Sequence, residues 1–111
     1  MKAQVGDIFC MSWGYDQTNV NYFQVVALTP KCAVVREISY EHVPNTEGFM
    51  CCHVKPVPGK FVAQSQWVKD SAKGITRKVG QSGERLCISF GSRYWAFQVK
   101  PTDTAYCSWY A

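Results

Sequence analysis

Residues 12–26 read SWGYDQTNVNYFQVV, and no other stretch constrains the fold as tightly. Before it, Val5 to Trp13 sets Asp7, Phe9, Met11 and Trp13 against Ile8, Cys10 and Ser12, the period-two alternation of a half-buried strand. After it, Val20 to Leu28 is dense in β-branched and aromatic residues, which suit a pleated surface. Gly14, Asp16 and Asn19 in between supply the backbone latitude and local side-chain hydrogen bonds of a reversal. The two runs are therefore a hairpin. Its turn gathers Trp13, Tyr15, Asp16, Gln17, Asn19, Asn21 and Tyr22. Flat side chains with polar tips beside amides are one common recognition chemistry. Aromatics that plug the end of a small barrel, with Asp16 and Asn19 capping the turn, would leave the same signature.

Pro30 and Lys31 mark a second turn, and Cys32 to Tyr40 reads as a third strand with Val34 and Ile38 on one face and Arg36 between them. Strands joined this closely form a meander, and a twisted meander of this length curls toward a barrel. His42 to Gly48 is a loop, because Pro44, Asn45 and Gly48 break both periodicities. Phe49 to Val54 resumes an extended apolar run; Pro56, Pro58 and Gly59 are expected to end it and mark it as an edge. Residues 60–74 are the one candidate helix, with Phe61, Gln64, Trp67 and Val68 near one face and Gly74 closing the run; otherwise they form a surface loop with Trp67 partly exposed.

Ile75 to Val79 and Arg85 to Phe90 form a second hairpin across a five-residue connection, Gly80 to Glu84. Leu86, Ile88 and Phe90 face one way. Arg77, Lys78 and Arg85 lie around this hairpin and Arg93 follows, a set able to grip phosphates or to keep an edge soluble. Tyr94 to Val99 is a further strand with Trp95, Phe97 and Val99 expected on its core side, and Tyr106 to Tyr110 docks back onto the sheet. The predicted fold is one mostly β domain over 1–111, a small antiparallel barrel or strongly bent sheet built from hairpins with at most one short helix.

Chemistry is sparse by comparison. There is no G-x-S-x-G, phosphate-binding glycine loop or H-E-x-x-H. The eight carboxylates are scattered, and Asp16 among its aromatics is the one to examine for a raised pKa. No enzyme, catalytic residue or cofactor is expected. Without an export signal's apolar core the six cysteines are expected as reduced thiols, with Cys10, Cys32, Cys87 and Cys107 as small apolar fillers. Cys51 and Cys52 beside His53 are adjacent strand residues that point to opposite faces, so no metal site is expected there. A net charge of +4 permits contact with nucleic acid or an acidic protein face without demanding it. No apolar run reaches the roughly 18 residues of a membrane span.

GDIF at Gly6 to Phe9, SWGYDQTNV at Ser12 to Val20 and YFQVV at Tyr22 to Val26 resemble a group of small proteins encoded by bacteriophages and prophages. The likeness extends more loosely through KPVP at Lys55 to Pro58, ITRKV at Ile75 to Val79 and SWYA at Ser108 to Ala111. The group has no settled activity, so the resemblance implies a setting: the cytoplasm of a bacterial host, where small accessory phage proteins disable host defence, CRISPR systems included. Two functions are expected on these grounds. One is a non-enzymatic modulator that binds a host protein or nucleoprotein complex, with Trp13, Tyr15, Asp16, Asn19, Tyr22, Trp67, Arg77, Lys78, Arg85 and Arg93 as candidate contacts. The other is a small barrel that binds RNA or single-stranded DNA, stacking bases on Trp13, Tyr15 or Tyr22 beside the cations.

Overall fold

A computed structural model describes residues 3–13, 19–43, 51–65, 67, 68, 70, 72–90 and 94–108. Its elements are β1 (Ile8–Trp13), β2 (Asn19–Leu28), β3 (Cys32–His42), β4 (Cys51–Phe61), β5 (Ile75–Ser82), β6 (Arg85–Ser89), β7 (Trp95–Val99) and β8 (Ala105–Ser108). All pairings are antiparallel. The strand order β2-β1-β7-β6-β5-β3, closed by β3 on β2, makes a six-stranded barrel. Closure removes the edges an open sheet would expose.

β3 is the branch point. Ala33 to Ile38 pair with β2, while the other edge is divided between β5, on Cys32 to Val35, and β4, on Ile38 to His42. Where β5 leaves, β4 and β8 continue outward as a two-stranded wing. Each face of this arrangement buries its own cluster. Inside the barrel, Phe9, Met11, Phe23, Val25, Ala33, Val35, Leu86, Ile88, Phe90 and Ala96 pack with Val68. Phe23 and Phe90 stack at its centre, ring centroids 4.4 Å apart. Outside, Ile8, Val20, Tyr22 and Ile38 pack with Val54 of the wing, and Phe61, Val99 and Ala105 flank them. The Tyr22 hydroxyl donates to the Val54 carbonyl at 3.3 Å, tying wing to barrel.

Several local expectations are corrected. No helix occurs among the described residues of 60–74. There the Ser65 hydroxyl accepts from the backbone N–H of Trp67 and of Val68, and Asp70 Oδ1 accepts from those of Ala72 and Lys73. Such local side-chain bonds give the backbone an alternative to helical ones. Val68, fully buried, inserts into the barrel from this connection, and Gly74 closes it at φ 84 against the Val35 carbonyl. The second hairpin turns on two residues, Gly83 and Glu84, since Ser82 already pairs with Arg85 and Gly80 with Cys87. Gly83, at φ 61, supplies the left-handed backbone so short a loop requires.

The prolines do not end β4, which runs to Phe61. β8 pairs only with Cys51 to Val54, so Pro56 and Pro58 fall where that edge has no ladder to satisfy. Between the partners Tyr40↔Pro56 and Ile38↔Phe61 the strand bulges, and Gly59 N donates to Gln24 Oε1 at 2.7 Å. On β7 the interior residue is Ala96, whereas Trp95 is 47% exposed and Val99 belongs to the outer cluster. The narrow lumen is already filled by Phe9, Phe23 and Phe90, so the small side chain goes inward. β8 returns to pair with β4 as expected of Tyr106 to Ser108, while Trp109 and Tyr110 lie outside the described residues. The expected 42–48 loop falls, from Pro44 onward, outside the described residues.

Candidate functional site

The inward rows of β1, β2 and β3 turn polar as they approach one end of the barrel. Phe9 and Met11 are followed by Trp13, Phe23 is preceded by Asn21 and Asn19, and Val35 is followed by Glu37. The register sets Trp13 opposite Asn19, Met11 opposite Asn21 and Phe23 opposite Glu37, which brings these side chains to one mouth. The connection from β4 to β5 crosses that mouth and contributes Ser65 and Trp67. Tyr94 completes an aromatic group: Trp13 and Trp67 meet edge-to-face at 5.3 Å, and Tyr94 lies 4.9 Å from Trp67 and 6.2 Å from Trp13.

A half-buried indole N–H needs an acceptor. Here Trp13 Nε1 and Trp67 Nε1 both donate to Asn21 Oδ1, at 2.7 and 3.2 Å. Asn21 Nδ2 in turn donates to Glu37 Oε2 at 3.0 Å, and the Ser65 hydroxyl donates to Glu37 Oε1. Ser65 Oγ itself accepts from the N–H of Trp67 and of Val68. Every proton in the chain points toward Glu37. The network pins three strands and a connecting segment to one carboxylate, and it fixes both tryptophans.

Beside it lies an open pocket of about 390 Å³ lined by Trp13, Asn19, Asn21, Glu37, Tyr40 and Ser65, among others. Its described lining includes no cysteine or histidine, and the Ser65 hydroxyl there donates to Glu37. What it offers is flat apolar walls, amide groups and one carboxylate, the constituents of a recognition site.

The remaining predicted residues disperse. Tyr22 faces outward and is buried under the wing, away from the mouth. Arg77 points inward with Ile75 and Val79, its guanidinium 5.7 Å from the Phe90 ring centre, and its Nε finds no hydrogen-bond partner among the described residues. Lys78, its neighbour, is exposed on the opposite face. Arg85 shares that outer face but lies at the turn end, donating from Nε and from one terminal nitrogen to the Gln98 carbonyl at 3.1 and 2.9 Å over the Phe97 ring. The structure thus brings Trp13, Asn19 and Trp67 together and separates Arg77, Lys78 and Arg85. Tyr15, Asp16 and Arg93 lie outside the described residues, as do the side chains of Cys51 and Cys52.

Glu37, Asn21, Ser65 and Tyr94 are the site residues the candidate set lacks. Glu37 was within reach, being two residues beyond Val35 on the inward row of β3; Ser65 carries no signal. Among the described residues the perturbed titratable group is Cys10: burial pushes its thiol from 9.0 up to about 11, with a Tyr22 hydrogen bond and the charge of Arg85 pulling the other way. No protein-family model, no curated protein and no solved structure matches this chain.

Proposed function

We propose that this chain is a non-enzymatic, phage-encoded modulator that acts in the bacterial cytoplasm by binding a host macromolecular complex, as inhibitors of host defence of the anti-CRISPR kind do. The observation that carries the reading is the barrel mouth, an open pocket of about 390 Å³ whose walls are locked to one another by hydrogen bonds. Walls already held in place lose little conformational freedom when a partner docks, so more of the contact energy appears as affinity. Tryptophan and tyrosine are the side chains that most often anchor protein interfaces. The motif likeness to phage accessory proteins supports the setting.

A barrel that binds RNA or single-stranded DNA is the less supported alternative. Phosphate tracking needs cations along one groove. Arg77 and Lys78 project to opposite faces, and the Arg85 guanidinium is committed to a backbone carbonyl.

The test is capture from bacterial lysate on the tagged full chain, with and without nuclease, comparing wild type with Tyr40→Ala at the pocket wall. A defined host protein retained after nuclease, and lost with Tyr40→Ala, is the expected result. Recovery of nucleic acid alone, released by added salt, overturns the reading in favour of the alternative.

A further inference from the structure

Glu37 stands out among the described charges at the mouth. Its two oxygens accept one hydrogen bond each, from Asn21 and Ser65, both neutral groups, and no described cation pairs with it. The other carboxylate of β3, Glu41, has Lys55 at 3.2 Å. The adjacent guanidinium, Arg36, lies on the opposite face with its Cζ 4.0 Å from the centre of the Phe61 ring. A carboxylate has about four acceptor positions, so each Glu37 oxygen retains one beyond those in use. The pocket it lines is walled by Trp13 and Tyr40.

A negative charge with no cation paired to it among the described residues, beside the Trp13 ring, is complementary to one class of ligand. We infer that the mouth pocket receives a cationic N–H donor, the guanidinium or ammonium of an arginine or lysine side chain presented by the partner protein. Trp13 attracts the cation through its ring quadrupole, Glu37 accepts its protons in a charge-assisted bond, and Tyr40, whose ring packs on Tyr22 and His42, closes the pocket rim. The amide and hydroxyl lining favours a cation that donates hydrogen bonds over a quaternary ammonium, which cannot. Naming a protein as the source rests on the proposed function; the ligand chemistry rests on the pocket alone.

The test uses the purified full chain with N-acetyl-arginine methylamide, N-acetyl-lysine methylamide and the neutral citrulline analogue, followed by tryptophan fluorescence and by the side-chain N–H resonances of Trp13 and Asn21. Saturable binding of the two cations in the millimolar range, with citrulline about tenfold weaker, is expected. Tyr40 is 42% exposed and its ring lies 6.3 Å from those of Tyr22 and His42, so Tyr40→Ala should weaken binding, with its thermal unfolding measured beside wild type as the control for the fold. Citrulline binding as well as arginine, Trp13 and Asn21 resonances that stay fixed while the cation binds, or unchanged affinity in Tyr40→Ala would each overturn the inference. Competition in the lysate capture separates the two claims. Cation binding at the mouth with no host protein captured refutes the protein-binding function and leaves the ligand chemistry standing. A captured protein that excess arginine derivative cannot displace refutes the pocket assignment.

Discussion

Replacing Glu37 by glutamine keeps the shape of the side chain and exchanges one acceptor oxygen for an NH2 group. In the native mouth both oxygens face donors, Asn21 Nδ2 on one and the Ser65 hydroxyl on the other. Glutamine can oblige only one of them. If its oxygen faces Ser65, its NH2 opposes the NH2 of Asn21, and flipping Asn21 would set that amide against the two indole N–H groups. If its oxygen faces Asn21, the Ser65 hydroxyl must turn and accept a third N–H beside those of Trp67 and Val68. A charge-assisted bond is lost in either case and a donor is left poorly matched, each worth roughly 1–3 kcal/mol. Glu37 is half-buried, so water compensates in part, and Glu37→Gln should destabilise the fold by about 2 kcal/mol. In a domain of this size that lowers the melting temperature by about 8 °C. Thermal and urea unfolding followed by tryptophan fluorescence read it directly. A melting temperature within about 2 °C of wild type would refute the convergent network.

Gly74 combines φ 84 with an ideal Cβ position 2.7 Å from the Val35 carbonyl oxygen, so Gly74→Ala should cost about 2 kcal/mol or more, measured by urea denaturation; a neutral result would mean the backbone there relaxes. Tyr22→Phe removes the hydroxyl bonded to the Val54 carbonyl and should cost about 1 kcal/mol, with hydrogen exchange rising first in β4. Raising the Cys10 thiol to about 11 makes the folded chain hold a proton that the unfolded chain releases near 9.0. The associated stability is complete below pH 9 and falls between pH 9.0 and about 11, by at most roughly 2–3 kcal/mol. Cys10→Ala should flatten that decline, and alkylation of Cys10 at pH 8 should be slower than for an exposed thiol.

The barrel was legible because β1 and β6 set their lumen residues, Phe9 with Met11 and Leu86 with Ile88, two apart, and β2 is dense in β-branched and aromatic side chains. The same rule misjudged β7, because Trp95, Phe97 and Val99 form its more apolar row and alternation cannot tell whether such a row faces the lumen or the outer cluster. The helix expected over 60–74 failed for a different reason. The 3.6-residue spacing of Phe61, Gln64 and Val68 is real, but Ser65 and Asp70 compete for the backbone donors, and the Trp67 indole finds its acceptor on a strand 46 residues away. Long-range acceptors of that kind leave no local mark.

The mouth shows why a recognition site and a plugged barrel end look alike in sequence. The indoles of Trp13 and Trp67 are structural in the strict sense that their N–H groups are consumed within the chain. That consumption is also what fixes the ring of Trp13 at the pocket, because a ring tied through Asn21 to Glu37 cannot swing away. On the proposed reading packing and recognition are one arrangement, and the residue that joins them is Glu37. Its neighbours satisfy two acceptor positions with neutral donors, and among the described residues no cation meets its charge. A carboxylate whose role was only to hold the mouth would serve as well beside a lysine, as Glu41 does beside Lys55.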